Sequence, residues 1–210
     1  MAYPKDYPNN VFINCPFDDQ YKPIFEALVF VIHDCGYIAR CAKEVSDSGD
    51  VRITKIMRII NECKFGIHDI SKADLDLATG LARFNMPLEL GIFIGCHQFS
   101  DNKSHNKEKK SLIMDIERYR YRNFISDLSG QDIQSHDNNP EIAIQNVRDF
   151  FVTNSRRTSI AGSRYIIGRY NQFKADLPTI CAGLHKELTE LTFIEFSDTV
   201  TGWIIKNSIS

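Results

Sequence analysis

The chain has 210 residues, of which 43% are hydrophobic and 25% are charged, and 25 lysines and arginines nearly balance 27 aspartates and glutamates. This length suits one α/β domain, or a domain of roughly 120–150 residues with a helical extension. The apolar content excludes bulk disorder, and the net charge of −2 argues against a protein that binds duplex DNA mainly through charge.

Segments that would direct the chain to a membrane or out of the cell are not evident. No apolar run reaches the roughly 18–20 residues that a membrane helix requires, and the first residues lack the apolar core of a signal peptide. The six cysteines form no C-x-x-C pair and lie mostly in apolar segments. We therefore expect a cytoplasmic protein with reduced, buried cysteines, and neither a disulfide framework nor a metal site.

Strands and helices are predicted to alternate from about residue 10 to residue 116. Asp18 or Asp19 is expected to cap the first helix, Gly36 to end it, and Pro87 to lie in the first turn of the third helix. The pattern predicts strands at residues 11–13, 37–42, 65–69 and 112–114, and helices at 21–35, 53–60 and 85–96. This alternation is typical of an α/β fold with a doubly wound parallel sheet.

The pattern changes after residue 118. A loop with a short helix precedes predicted helices at residues 140–153, 160–191 and 193–205. We predict an α/β domain over residues 8–135 and a C-terminal helical extension over residues 136–210. The apolar residues between 160 and 205 exceed what one small domain readily covers, which favours a homo-oligomer. The alternative is that these helices fold over the sheet as a cap.

A ligand of a doubly wound sheet lies beyond the carboxyl ends of the strands, near the switch in strand order. Four loops meet that edge, at residues 14–19, 41–50, 68–83 and after Asp115. Glu89 lies one turn inside the helix that leaves the third loop, and its neighbours are nearly all apolar. Such a carboxylate is exposed at the helix end, paired, or functional. If it is functional, a fixed carboxylate suits cleavage of an N-glycosidic bond, because positive charge develops on the sugar.

Two short segments carry a resemblance to known families. The segment Asn85 to Gly91, NMPLELG, resembles the N-x-x-x-E-L-G segment of TIR-like nucleotide-binding domains of bacterial defence proteins. Its E-L-G core also resembles the segment that holds the catalytic glutamate of nucleoside 2-deoxyribosyltransferases. The opening VFINCPFDD, followed by a helix, is similar to the first strand and loop of both families.

The resemblance covers roughly residues 10–116 and implies a flavodoxin-like fold with binding or chemistry at a nucleotide N-glycosidic bond. It also implies that Glu89 is the catalytic carboxylate and that Asp69 lies near the base or the ribose. Deoxyribosyltransferases place an acidic residue shortly before their glutamate. The stretch LARFNMP lacks a clear equivalent, so the transferase reaction ranks third.

Several further residues are candidates for contacts with substrate, and each has a structural alternative. Asp18 can bond a ribose or cap a helix, and Asp69 can orient the sugar or serve the fold alone. Arg120 belongs to the run RYRYR, which can grip a pyrophosphate or leave its arginines solvated. The predicted substrate-binding set is Asn14, Phe17, Asp18, Asp69, Asn85, Asp115 and Arg120.

The absence of several known nucleotide-binding and catalytic motifs reduces the number of enzyme classes to which the chain could belong. No G-x-x-x-x-G-K-[ST], G-x-G-x-x-G, G-x-S-x-G or H-E-x-x-H segment is present, which disfavours P-loop NTPases, dehydrogenases, α/β-hydrolases and zinc proteases. We expect a hydrolase that releases nicotinamide from NAD, which would be a substrate and not a cofactor, in a defence effector. The alternative is a non-catalytic nucleotide sensor that acts through a partner or its own oligomer. An activating protein partner is compatible with either function, whereas nucleic acid is not expected as a partner.

Overall fold

The computed structural model describes residues 3–45, 49–73, 75 and 80–208. Residues 46–48, 74 and 76–79 of the predicted second and third loops lie outside the described residues. In the described chain the strands are β1 Asn10–Asn14, β2 Ile38–Cys41, β3 Phe65–Asp69, β4 Lys110–Asp115 and β5 Gln134–Ser135. The α-helices are α1 Lys22–Asp34, α2 Arg52–Asn61, α3 Asn85–Gln98, α4 Pro140–Asn154, α5 Ser163–Gly183 and α6 Phe193–Lys206.

All five strands are parallel, in the order β2-β1-β3-β4-β5. The connection from β1 runs outward to β2, and the next connection crosses back over β1 to β3. Strand order therefore reverses between β1 and β3, where Ile13 pairs with Ile67 and Asn14 with His68. This topology confirms the predicted doubly wound α/β class, and it places the expected ligand crevice at the carboxyl ends of β1 and β3.

Apolar side chains on both faces of the sheet bury the strands. On one face, Ile13 and Ile67 belong to the large core formed with α1 and α4. On the other, Phe12 packs with Phe93 of α3 and with α2. Parallel strands covered on both sides read as continuous apolar runs, which is why the short strand VFI was recognisable from the sequence.

The C-terminal helices pack on α1 and share its core. The ring of Phe30 in α1 stacks on Phe173 of α5 at 5.4 Å and lies 5.9 Å from Trp203 of α6. Phe193, Phe196, Val200 and Trp203, which suggested an apolar surplus, are buried within the single chain. These residues therefore do not need a second subunit to cover them, which removes part of the argument for a homo-oligomer. Self-association stays a prediction.

Two elements differ from the sequence-based expectation. Strand β5 was not predicted, because it has only two polar residues, which pair with β4 as Gln134 with Met114 and Ser135 with Asp115. Helix α5 ends at Gly183 and not at residue 191, since the amides of Leu184 and Lys186 bond back to its last carbonyls. Leu188 and Leu191 then pack against the core from a loop, so their spacing imitated a helix.

Candidate functional site

Asn14, at the carboxyl end of β1, anchors the first turn of α3 to the sheet. Its amide nitrogen donates to the carbonyl of Met86 at 2.8 Å and to Nδ1 of His68 at 3.1 Å. The side chain is buried, so this predicted ligand contact serves to fix α3 over the crevice. Asn85 opens the helix and is exposed, and no side chain caps α3.

Glu89 lies on the buried side of α3, next to Leu90. Only 7% of it is exposed, and among the described residues none donates a hydrogen bond to its carboxylate. Burial raises its pKa to about 7, against the opposing charge of Arg52 at the start of α2. Burial is also the main cause of the raised pKa of Cys15, which follows β1, and the charge of Glu89 adds to it. Because the side chain of Asn14 bonds the carbonyl of Met86, Glu89 lies one helical turn from the contact between α3 and the end of β1.

His68 of β3 is packed beneath α3 and holds no charge at neutral pH. Its Nδ1 accepts from Asn14, so the proton lies on Nε2, which has no hydrogen-bond partner among the described residues. Burial, together with the nearby charge of Lys109, lowers its pKa to about 3. The ring meets the edge of Phe93 at 4.8 Å. His68 is therefore a neutral packing residue and cannot supply a proton as an imidazolium.

Asp69, the last residue of β3, lies on the opposite face and is fully buried. Its carboxylate accepts from the hydroxyl of Tyr21 at 2.8 Å and from the amide of Ser71 at 2.9 Å. Nε2 of His136 lies 2.9 Å from the same oxygen as Tyr21, in a contact too bent for a good hydrogen bond. The amide of Asn138 donates to Nδ1 of His136, which leaves the proton on Nε2. Asp69 thus ties together β3, the start of α1 and the segment after β5.

Asp115 and Arg120 form a second polar contact at the same edge. One oxygen of Asp115 accepts from the amide of Ile116 at 2.7 Å and lies 3.3 Å from Nε of Arg120. The other oxygen is buried and has no hydrogen-bond partner in the described chain. Burial raises the pKa of Asp115 to about 6, and Arg120 opposes that shift. Arg120 also donates to the carbonyl of Ser71, so it links the chain that follows β3 to the chain that follows β4.

The remaining predicted contacts lie beside α1. Phe17 is half-buried, with the ammonium of Lys43 above its ring at 4.7 Å. Asp18 accepts from the amide of Tyr21 at 3.1 Å and pairs with Lys72 at 3.2 Å, so it closes the turn that leads into α1. A cavity of about 200 Å³ opens next to both residues, between this turn and the loop before α6.

The predicted site residues do not all lie together in the structure. Asn14 lies at the carboxyl end of β1 on the α3 face, and Asp69 lies at the end of β3 on the opposite face. Asp115 and Arg120 are paired at the end of β4, whereas Arg122 of the same RYRYR run stacks on Tyr119 at 4.6 Å. Sequence reasoning missed two members of the site, Tyr21 and His136. The sequence placed Tyr21 at the start of a helix, but only the fold brings its hydroxyl to Asp69. His136 follows a strand too short to leave a hydropathy pattern.

The described residues contain neither a metal-binding cluster nor a helix that could span a membrane, and no known protein matches the chain. Within the described part of the chain, no three His, Cys, Asp or Glu side chains converge as a metal site would require. The helices of that part are all too short or too polar to cross a bilayer. Searches against protein-family models, curated proteins and solved structures returned no match to this chain.

Proposed function

We propose that this protein hydrolyses the N-glycosidic bond of a nucleotide, with NAD as the leading substrate, and that Glu89 is the catalytic carboxylate. The observation that supports the proposal is the burial of Glu89 near the strand ends, with a pKa raised to about 7. Burial of a carboxylate costs free energy, and a cation that comes to face the carboxylate offsets this cost. The ribosyl cation that forms as the bond breaks is such a partner.

The reaction follows from the charges involved. The bond between nicotinamide and C1′ of the ribose breaks, and its electron pair leaves with the ring, which becomes neutral. The positive charge passes to the sugar, where the carboxylate of Glu89 stabilises it. Water then adds to C1′ and releases a proton. In a site of low polarity this stabilisation is stronger than in water, because the local dielectric constant is lower.

The state of the neighbouring groups favours a cationic leaving group. His68 is neutral at pH 7, because burial lowers its pKa to about 3, so it offers no acid to a neutral base. Nicotinamide in NAD needs none. The positive charge of bound substrate would also favour the ionised form of Glu89 and lower its pKa below the value of about 7 in the free protein.

Contacts to the rest of the substrate are proposed for residues at the same edge. Arg120 lies 3.3 Å from Asp115 at the end of β4 and offers planar donors suited to a pyrophosphate. Phe17 and Asp18, which line the cavity beside α1, and Asn85, which opens α3, are proposed to bind the sugar or base. Asn14, Asp69 and Asp115 are buried and act as positioning residues, because they hold α3, α1 and the loop after β4 in place.

A screen of candidate substrates tests the proposal. Purified protein is incubated separately with NAD, ATP and deoxynucleosides, and chromatography follows any released base. Nicotinamide released from NAD is the expected product. Transfer of a base between deoxynucleosides would identify a deoxyribosyltransferase. Tight binding of a nucleotide with no turnover would identify a sensor, and either result would contradict the proposal.

We further propose that the protein acts in the cytoplasm and that self-association or a protein partner controls it, because an NAD hydrolase left active would harm its own cell. Exposed apolar side chains remain on the helical extension, among them Tyr165, Ile194 and Ile205. Light scattering over a concentration series, with activity measured in parallel, would detect such control. A monomer with constant specific activity would exclude control by self-association.

A further inference from the structure

A basic groove lies at the opposite edge of the sheet from Glu89, where the strands begin. Its cavity measures about 770 Å³, within the range of roughly 300–1,000 Å³ typical of small-molecule sites. Three segments converge there: the start of β3, the turn into β4 and the chain that follows α4. They contribute five cationic side chains and one carboxylate, namely Lys64, Lys107, Lys110, Arg156, Arg157 and Glu108.

Most of this positive charge is unpaired. The carboxylate of Glu108 is engaged by the hydroxyl of Tyr3 at 2.5 Å and by Lys64 at 3.0 Å. Among the described residues, no carboxylate lies within 4 Å of the side-chain nitrogens of Lys110, Arg156 or the other two cations of the groove. The groove therefore holds four positive charges in excess, although the whole chain carries −2.

Packing holds the guanidinium of Arg157 in place. The guanidinium of Arg157 stacks over the ring of Tyr37 at 4.4 Å and donates to Asn9 at 2.8 Å. Lys64 and Lys110 stand at the starts of adjacent parallel strands, joined by a backbone hydrogen bond of 3.0 Å. The stacked guanidinium of Arg157 loses little freedom when an anion binds, which favours affinity.

The aromatic rings of the groove are not available to a base. The ring of Tyr37 is covered by Arg157 and by Phe151, which stacks on it at 4.3 Å, and Phe65 is enclosed by the core. Recognition must therefore act through charge and not through base stacking. We propose that this groove binds a series of closely spaced phosphates, either the polyphosphate of a free nucleotide or the phosphodiester backbone of a single-stranded nucleic acid.

Calorimetric titration with inorganic tripolyphosphate at low ionic strength tests this site. The double variant Lys110→Glu, Arg156→Glu reverses two exposed charges of the groove. The matched control is Arg118→Glu, Arg164→Glu, which makes the same charge change at exposed positions outside it. Circular dichroism verifies that both variants are folded.

The groove variant should bind tripolyphosphate about tenfold more weakly or worse, and the control within about twofold of the parent. The salt dependence of binding should also become shallower in the groove variant, because fewer cations contact the ligand. Competition by ATP and by a single-stranded oligonucleotide then identifies the source of the phosphates. Failure of the parent protein to bind, or equal binding by the groove variant and the control, would overturn the proposal. Glu89→Gln should leave this binding unchanged, so its outcome is independent of the proposed catalysis.

Discussion

Two buried carboxylates at the same edge of the sheet differ in the hydrogen bonds that they accept. Asp69, on the α1 face, receives hydrogen bonds from Tyr21 and Ser71 and is fully enclosed. Glu89, on the α3 face, receives none from the described residues, and burial raises its pKa to about 7. A buried carboxylate that accepts hydrogen bonds strengthens a fold, whereas desolvation of a carboxylate without such donors weakens it. Natural proteins retain such a weakness mainly where function requires it.

The largest expected change in stability follows from loss of the hydrogen-bonded carboxylate of Asp69. Asp69→Ala removes the acceptor of the Tyr21 hydroxyl and the Ser71 amide, and leaves Nε2 of His136 facing an empty space. We expect the free energy of unfolding to fall by about 3 kcal/mol, as is typical when a buried polar cluster loses one partner. Denaturant titration measures it. Asp69→Asn, which keeps one carbonyl oxygen as an acceptor, should lose less, and an unchanged midpoint in Asp69→Ala would contradict the assigned role.

Removal of the charge of Glu89 is expected to change stability by a smaller amount and in the opposite direction. Between the ordinary pKa of 4.5 and the folded value of about 7, the folded protein keeps a proton that the unfolded chain has released. Stability therefore falls as the pH rises through this window, and the full cost applies above it. Gln has no charge to desolvate, so Glu89→Gln should stabilise the protein by about 2 kcal/mol at pH 8.

This gain should vanish at pH 4, where the glutamate is protonated in both states. Denaturant titrations of parent and variant at the two pH values isolate the effect, because all other groups are shared. A loss of stability in Glu89→Gln at pH 8 would mean that the carboxylate is satisfied in the folded protein, and the contrast with Asp69 would disappear.

The smallest effects concern how tightly α3 is seated. A methyl group at Gly66 would lie 2.5 Å from Nε2 of His68 and 2.8 Å from the ring of Phe93. Gly66→Ala should therefore cost roughly 1–2 kcal/mol of stability through overpacking. Gly91→Ala meets nothing within 4 Å and should gain about 0.5–1 kcal/mol from helix propensity. Equal effects in thermal unfolding would show that α3 is loosely held.

The sequence predicted the parts of this molecule that rest on local patterns. The buried strand around Phe12, the helix that Gly36 ends with φ +80° and the position of Pro87 in the first turn of α3 all have local signals, and the structure agrees. Placement of Glu89 near the strand ends followed from the chain order, because α3 leaves β3.

Features that depend on contacts between distant segments were not predictable. His136 joins Asp69 from 67 positions along the chain, through a strand of two polar residues. The basic groove likewise assembles three segments, around Lys64, Lys110 and Arg156, whose charges are scattered in a chain that is acidic overall. The hydropathy pattern of the sequence does not indicate such contacts, since the charges of side chains carry no information on the order of the strands.

The most direct test of the central claim compares Glu89→Gln with Glu117→Gln. Glu117 is exposed beyond the end of β4, so its variant makes the same charge change at the same edge without touching the buried carboxylate. Nicotinamide release from NAD is followed by chromatography, with NAD affinity measured by calorimetry. We predict that Glu89→Gln lowers kcat on the order of 10²-fold or more while NAD still binds, and that Glu117→Gln retains parental turnover. Parental turnover in Glu89→Gln would contradict the assignment of Glu89 as the catalytic carboxylate.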